Sequence, residues 1–139
     1  MEENSVEILL VEDNPSDAEL TIRALRKNNI ANRILHIIDG AEALDYFFAR
    51  GRFSGRDIRS APKIVILDLK LPKVGGLEVL QQVKSDDRTK SIPIVVLTSS
   101  KEESDVVESY QYGANSYIVK PVDFDKFTKA ICELGMYWL

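Results

Sequence analysis

The chain has 139 residues, a length typical of one globular domain, and 45% of them are hydrophobic, which excludes a disordered chain. No apolar stretch approaches the roughly 18 residues that a membrane span requires, and the acidic start of the chain lacks the features of a secretory signal. The net charge of −4 argues against a nucleic-acid binder, and the single cysteine, Cys132, fits a reducing cytoplasm without disulfides.

Five short apolar runs are spaced along the chain, at residues 8–11, 34–38, 64–67, 94–97 and 117–119. Most of them are continuous and rich in β-branched residues rather than alternating with polar ones. This pattern is typical of parallel strands that are covered on both faces. We therefore predict five strands of a parallel sheet.

Stretches with helical periodicity follow each of these runs. The apolar residues that mark them are Ala18, Ile22 and Leu25; Leu44, Phe47 and Phe48; Leu77, Leu80 and Val83; Val106, Val107 and Tyr110; and Phe124, Phe127, Ile131 and Leu134. A strand–helix unit repeated five times predicts an α/β fold with helices on both faces of the sheet, because such crossovers are right-handed.

Local signals place several helix ends. Asp39 with Glu42, and Ser100 with Glu103, have the spacing of a capping box, in which two side chains satisfy free backbone N–H groups. Gly113 follows the fourth helical stretch, where a left-handed residue commonly ends a helix.

The segment 50–62 departs from the compact pattern, because it contains four arginines, two glycines and a proline. We expect an exposed, solvated connection between the second helix and the third strand. Binding of an acidic partner is the less favoured alternative for this segment.

Acidic residues follow two of the predicted strands: Glu12 and Asp13 come after the first, and Asp68 comes after the third. Parallel sheets bind ligands beyond the carboxyl ends of their strands, so these carboxylates are expected near one another. Oxygen ligands without His or Cys favour Mg²⁺ over zinc, and Mg²⁺ commonly takes one or two carboxylates together with a phosphate. The pattern is suited to holding a phosphoryl group.

The ends of the fourth and fifth predicted strands supply complementary groups. Thr98 follows the fourth run and can donate a hydrogen bond to a phosphoryl oxygen, while Lys120 follows the fifth and adds a positive charge. Pro121 favours an extended Lys120 and permits a cis bond between the two residues. Each residue alone has an ordinary explanation as a cap, a turn residue or a solvated charge. The combination at four strand ends favours the phosphoryl site.

Three features outside this group are given structural interpretations. His36 lies inside the second predicted strand and is expected to pack rather than to catalyse. Cys132 is expected to be a small hydrophobic residue of the last helix. Tyr137 and Trp138 are either a terminal anchor or part of an interface.

The motifs VEDN at 11–14, ILDLKLP at 66–72, LTS at 97–99 and VKP at 119–121 resemble the receiver domains of bacterial two-component response regulators. The resemblance spans residues 6 to 135 with the motifs in order. It implies a flavodoxin-like (βα)5 doubly wound parallel sheet with strand order 2-1-3-4-5. In that order the first and third strands are neighbours at the point where the strand order reverses.

The resemblance also implies a role in phosphorelay signal transduction and assigns the chemistry to positions in this chain. Asp68 is the phosphoacceptor for a sensor histidine kinase. Asp13, Asp68 and the backbone carbonyl of Lys70 bind Mg²⁺, and Glu12 acts through water. Thr98 and Lys120 bind the phosphoryl oxygens, and Tyr117 is the aromatic residue that switches when Thr98 moves.

Residues 13–20, the long segment before the third strand and the ending 134–139 resemble stand-alone regulators that partner bacterial phytochromes, so a phytochrome-type kinase is one candidate partner. We expect one receiver domain over residues 1–139 without an output domain, bound to neither nucleic acid nor membrane. Output would then be a protein contact, and a homodimer through the fourth helix, fifth strand and fifth helix is one form of it.

Two alternatives stay open at this point. An aspartyl-phosphate-forming, Mg²⁺-dependent phosphatase would typically have a second aspartate two residues after the nucleophile, where this chain has Lys70. A binding module that works without phosphorylation would typically lack an acidic residue or the lysine, and this chain has all of them. In the favoured interpretation the protein is not an enzyme and catalyses only its own phosphorylation and dephosphorylation.

Overall fold

The computed structural model describes residues 6–27, 33–121, 123, 125–127 and 129. Its strands are β1 (Ile8–Val11), β2 (Ile34–Ile37), β3 (Ile64–Leu67), β4 (Ile94–Thr98) and β5 (Ser116–Val119). All are parallel, in the order β2-β1-β3-β4-β5. The five predicted strands are confirmed to within one residue at each end, and so is the strand order that the resemblance implied.

Four α-helices lie in the described ranges: α1 (Pro15–Lys27), α2 (Gly40–Phe47), α3 (Gly76–Ser85) and α4 (Glu103–Gln111). None of the described helices is long and apolar enough to cross a membrane. The predicted fifth helix falls largely outside the described residues, as do Phe124, Ile131, Cys132, Leu134, Tyr137 and Trp138. Phe127, which the sequence assigns to the core, is fully buried.

The core has two layers because the strands bury alternate residues on opposite faces of the sheet. Leu9 and Val11 of β1 pack with residues of α2 and α3 on one face. Ile8 and Leu10 pack with residues of α1 and with Phe127 on the other. Burial on both faces explains why the strands are continuous apolar runs rather than alternating ones.

The fourth helix forms as predicted, but two of the three apolar residues that mark it are exposed. Val107 and Tyr110 are 47% and 50% exposed, and the buried position of α4 is Ser109. A sequence period indicates that a helix has an apolar stripe, but it does not say what covers the stripe. The stripe of α4 therefore lies on the surface of the described structure.

The two capping predictions differ in outcome. The Asp39 carboxylate accepts a hydrogen bond from the backbone N–H of Glu42 at 2.7 Å, as predicted, although the Glu42 side chain bonds to Arg52 instead of completing the box. The predicted box at Ser100 is wrong, because its hydroxyl donates to the Asp105 carboxylate at 2.5 Å and α4 begins without a side-chain cap.

The predicted ending of α4 is confirmed by the backbone of Gly113. Its φ is +102°, a left-handed conformation that a residue without a Cβ adopts at little cost. Its N–H donates to the carbonyl of Tyr110 at 3.1 Å, which closes the last turn of the helix.

The arginine-rich segment is largely exposed, as predicted, but it is more ordered than a solvated loop. It contains a short 3-10 helix, Gly51–Phe53, and three of its four arginines lie over aromatic rings. The Arg56 guanidinium lies 4.0 Å from the centre of the Tyr46 ring and donates to the Tyr46 carbonyl at 2.6 Å. Arg52 lies over the ring of Phe53 at 4.4 Å. Charge and aromatic surface therefore fasten the segment to α2.

The first residue of α3, Gly76, lies directly against the end of β3. A Cβ atom at this position would overlap the backbone carbonyl oxygen of Asp68, and the Gly76 N–H donates to the Leu69 carbonyl at 2.8 Å. The absence of a side chain therefore lets α3 begin in contact with the backbone that carries Asp68.

We expect Gly76→Ala to destabilise the protein by about 1–3 kcal/mol, because the methyl group forces the β3–α3 connection apart. A loss of stability would be diagnostic, because alanine favours a helix more than glycine does and would otherwise stabilise the protein. Urea unfolding measures the difference. Gly55→Ala is the matched control, because a Cβ there meets no described heavy atom within 4 Å. Equal stability of the two variants would contradict the close approach.

Candidate functional site

The carboxyl ends of β1 and β3 bring three acidic residues together. Val11 is level with Leu67, and the Asp68 N–H donates to the Val11 carbonyl at 3.0 Å. As a result, one carboxylate oxygen each from Glu12, Asp13 and Asp68 lies within 4.8 Å of the others. Glu12 and Asp68 are buried, whereas Asp13 is exposed. The sequence predicted this convergence.

Lys120 enters the same crevice from the end of β5. Its backbone N–H donates to the Thr98 carbonyl at 2.8 Å, and its bond to Pro121 is cis, an isomer that the sequence permits. Its ammonium nitrogen lies 2.6 Å from Glu12 Oε1 and 3.0 Å from Asp68 Oδ2. The lysine therefore directly contacts the residue that the sequence singles out as the phosphoacceptor.

A fourth carboxylate, which the sequence analysis did not assign to the site, completes the surroundings of this ammonium group. Asp17 Oδ2 lies 2.8 Å from Lys120 Nζ. The signal that could have found it is its position: α1 begins at Pro15, directly after the acidic pair, so its first turn borders the same crevice. Three carboxylates thus match the three N–H donors of a lysine.

Burial and charge act in opposite directions on Glu12. Removal from water disfavours its charged form and raises its pKa to about 7, although hydrogen bonds from Lys120 and from the backbone N–H of Asn14 oppose the change. Burial therefore makes Glu12 harder to ionise than an exposed glutamate, even with Lys120 beside it.

Asp68 stays ionised. Burial acts to raise its pKa, but hydrogen bonds from Lys120, from the Thr98 hydroxyl and from the Lys70 N–H together bring it below its ordinary value. The Lys70 N–H lies 3.2 Å from Asp68 Oδ1. A buried carboxylate that keeps its charge is suited to act as a nucleophile.

The donor set suits a hard divalent cation. Oxygen atoms of Glu12, Asp13 and Asp68 form the cluster, which within the described residues includes no His or Cys. Lys70 follows in the loop after β3, where the resemblance assigns its carbonyl to the metal. Repulsion among close carboxylates favours the binding of a cation, and oxygen ligands of this kind select Mg²⁺ or Mn²⁺.

Thr98 and Tyr117, which the resemblance assigns to the switch, lie on the neighbouring strands β4 and β5. Thr98 is fully buried at the end of β4. The backbone carbonyl of Ser100, two residues further on, accepts a hydrogen bond from the Tyr117 hydroxyl at 3.0 Å. The loop that begins at Thr98 is thereby joined to the half-buried aromatic residue of β5.

His36 is placed as the sequence predicted, in β2 and outside the carboxylate cluster. Its Nε2 atom donates to the backbone carbonyl of Glu12 at 2.7 Å, since a carbonyl can only accept. The imidazole therefore holds the backbone at the end of β1.

A family model described as the response regulator receiver domain matches residues 8–132. The chain belongs to the response-regulator receiver family. It is thus a receiver domain of two-component signalling, a family of signalling modules that bind a divalent metal ion.

Relatives with sequence and structural similarity are consistent with this. The probable methanogenesis regulatory protein FilR2 of Methanothrix harundinacea is 43% identical over 132 residues, which cover 95% of this receiver and 83% of that protein. The bacteriophytochrome response regulator RtBRR is 54% identical, with a TM-score of 0.85 over 95% of this receiver and 79% of that chain. The Mn²⁺-bound form of response regulator Rcp1 is 34% identical, with a TM-score of 0.79 over 95% of this receiver and 93% of that chain. Rcp1 comes from Synechocystis sp..

We expect Lys120→Met to raise the pKa of Asp68 in the metal-free receiver, because burial then acts without the opposing ammonium group. The proton uptake of Asp68 should move to higher pH, which carbon-13 NMR of the labelled carboxyl groups measures. Lys101→Met is the control, because it removes the same charge from an exposed residue. An unchanged Asp68 titration in Lys120→Met would refute the assigned interaction.

Proposed function

We propose that the receiver accepts a phosphoryl group on Asp68 from a sensor histidine kinase in the presence of Mg²⁺, and that this changes its contacts with other proteins. The observation that carries the proposal is the surroundings of Asp68. A buried, ionised carboxylate lies beside two further acidic side chains and is hydrogen-bonded by Lys120 at 3.0 Å. The likeness to bacteriophytochrome response regulators supports a phytochrome-type kinase as the donor.

The proposed chemistry is an in-line displacement at phosphorus. A carboxylate oxygen of Asp68 forms the new P–O bond while the P–N bond to the histidine of the kinase breaks, and its electron pair leaves with the imidazole. Thr98 and Lys120 donate hydrogen bonds to the transferred phosphoryl oxygens. Positioning and charge stabilisation supply most of the catalysis in such a transfer.

Asp13, Asp68 and the Lys70 carbonyl would hold Mg²⁺ directly, and Glu12 would act through water. When bound, Mg²⁺ supplies positive charge that offsets the repulsion between the attacking carboxylate and the phosphoryl oxygens. The close approach of three carboxylate oxygens supports this assignment.

The proposed switch begins with the added charge. A phosphorylated side chain carries roughly −1.5 to −2 charges near neutral pH, and Thr98 and Lys120 can both respond to it. Movement of the loop after Thr98 would displace the Ser100 carbonyl. The Tyr117 hydroxyl, which donates a hydrogen bond to this carbonyl at 3.0 Å, would move with it. Phosphorylation would then shift an existing equilibrium of the surface formed by α4 and β5.

The two rival functions have less support. Lys70, rather than an aspartate, stands two residues after Asp68, which disfavours a phosphatase acting on free substrates. A module independent of phosphorylation has no need for the Lys120, Thr98 and Asp68 arrangement, which this chain has in full. Membership of the receiver family favours the phosphoacceptor over both.

Asp68→Asn should abolish phosphorylation, because the amide nitrogen and oxygen are poor nucleophiles at this position. Incubation with acetyl phosphate and Mg²⁺, followed by intact-protein mass spectrometry, should detect one added phosphoryl group on the wild type only. Removal of Mg²⁺ with a chelator should suppress the adduct.

Asp87→Asn is the matched control, because its side chain is 91% exposed, and it should be phosphorylated like the wild type. A phosphoryl adduct on Asp68→Asn would refute the assignment of the acceptor. A wild type that forms no adduct would instead favour the module that works without phosphorylation.

The surface of α4 and β5 is also the one we propose for self-association, together with the predicted fifth helix, which lies largely outside the described residues. Val107 and Tyr110 are three residues apart on α4, so they share a face, and about half of each is exposed. β5 forms one edge of the described sheet. Partly exposed apolar and aromatic side chains of this kind are favoured at protein contacts.

We expect the receiver to form a two-fold dimer through this surface, and phosphorylation to strengthen it. Light scattering over a concentration series, with and without Mg²⁺ and beryllofluoride, measures the oligomeric state. The double variant Val107→Ala, Tyr110→Ala should weaken association. Leu20→Ala on α1, also an exposed apolar residue, should not. A monomer in both states at high micromolar concentration would contradict the dimer.

A further inference from the structure

The ammonium group of Lys120 contacts three carboxylates, which differ in burial and in their position relative to the metal-type cluster. Glu12 and Asp68, whose side chains are 2% and 7% exposed, belong to the metal-type cluster. Asp17, whose side chain is 36% exposed, belongs to α1 and lies outside that cluster. The three contacts occupy all three N–H donors of the lysine.

The backbone of Asp17 is held in place by hydrogen bonds at the start of α1. The Asn14 side chain accepts a hydrogen bond from the Asp17 N–H at 3.0 Å. The Asp17 carbonyl accepts one from the Thr21 hydroxyl at 2.9 Å, one turn along α1. Asp17 therefore presents its carboxylate to the crevice from a fixed backbone.

Lys120 and a divalent cation compete for the same oxygen atoms, because both are positively charged and both are attracted by Glu12 and Asp68. A carboxylate outside the metal cluster that binds the ammonium weakens its hold on the other two. We propose that Asp17 is a positioning residue: it shares the Lys120 ammonium group with Glu12 and Asp68, and so makes these two carboxylates more available to the cation. This role rests on the proposed function, since it concerns the cation of that site.

A purely structural role for Asp17 makes a different prediction. An acidic side chain in the first turn of a helix is stabilised by the helix dipole whether or not a lysine is near. Glu19 serves as the matched control, since it lies on the same helix, forms an ion pair with Arg23 at 2.7 Å and has a side chain that is 64% exposed. Glu19→Gln removes the same charge as Asp17→Asn without touching Lys120.

The first test uses the metal-free receiver and does not depend on phosphorylation. The side-chain ammonium signal of Lys120 in nitrogen-15 NMR, assigned by its loss in Lys120→Met, reports the contacts of that group. In Asp17→Asn the signal should shift and its protons should exchange faster with water, whereas Glu19→Gln should leave it unchanged. An Asp17→Asn signal identical to that of the wild type would overturn the inference.

The second test is Mg²⁺ binding measured by calorimetry. We expect Asp17→Asn to raise the Kd about threefold to tenfold, and Glu19→Gln to raise it less than about twofold, because its charge is more distant and screened. Asp17→Glu should restore most of the affinity. In a Lys120→Met background the effect of Asp17→Asn should fall to that of Glu19→Gln, because the residue acts through the lysine.

An undiminished effect of Asp17→Asn in the Lys120→Met background would overturn the inference, since Asp17 would then act on the cation itself. A wild type that binds no Mg²⁺ would refute the metal of the proposed function instead. In that case the ammonium signal of the metal-free protein alone decides whether Asp17 positions Lys120.

Discussion

The repulsion between buried carboxylates at the ends of β1 and β3 is the constraint on which this site depends. Glu12 and Asp68 are almost wholly removed from water, and like charges repel more strongly in the protein interior than in solution. Lys120 relieves the repulsion from the far side of the crevice, and in doing so links β5 to β1, β3 and α1 through single contacts of 2.6–3.0 Å. The same ammonium group therefore stabilises the buried carboxylates of the site and joins the elements that form it.

The sheet makes this arrangement possible. Since β1 and β3 are adjacent and in register, residues that are 56 positions apart in sequence lie at the same level of the sheet. The start of α3 completes the frame, because Gly76 allows the helix to pack against the backbone of Asp68 itself. Asp68 is thus held by β3 on one side and by the first turn of α3 on the other.

Much of this could be predicted from the sequence, because buried strands and their polar ends are local patterns. The five strands, the cluster of Glu12, Asp13 and Asp68, and the approach of Lys120 all follow from such patterns and from the family's strand order. The partner of Ser100 and the face that α4 exposes could not be predicted, since both depend on packing between elements distant in sequence. Asp17 was missed because, on its own, it has the features of an ordinary first-turn acid.

The hydrogen bond from Tyr117 to the Ser100 carbonyl has a consequence for how signals travel through this domain. Equilibrium coupling between two sites is reciprocal: if occupancy of one changes the affinity of the other, the reverse effect has the same magnitude. A target that selects one arrangement of Tyr117 would therefore also bias the crevice around Asp68. Under the proposed function, such a target would act as an effector of its own upstream input, because its binding would shift the equilibrium state of the crevice.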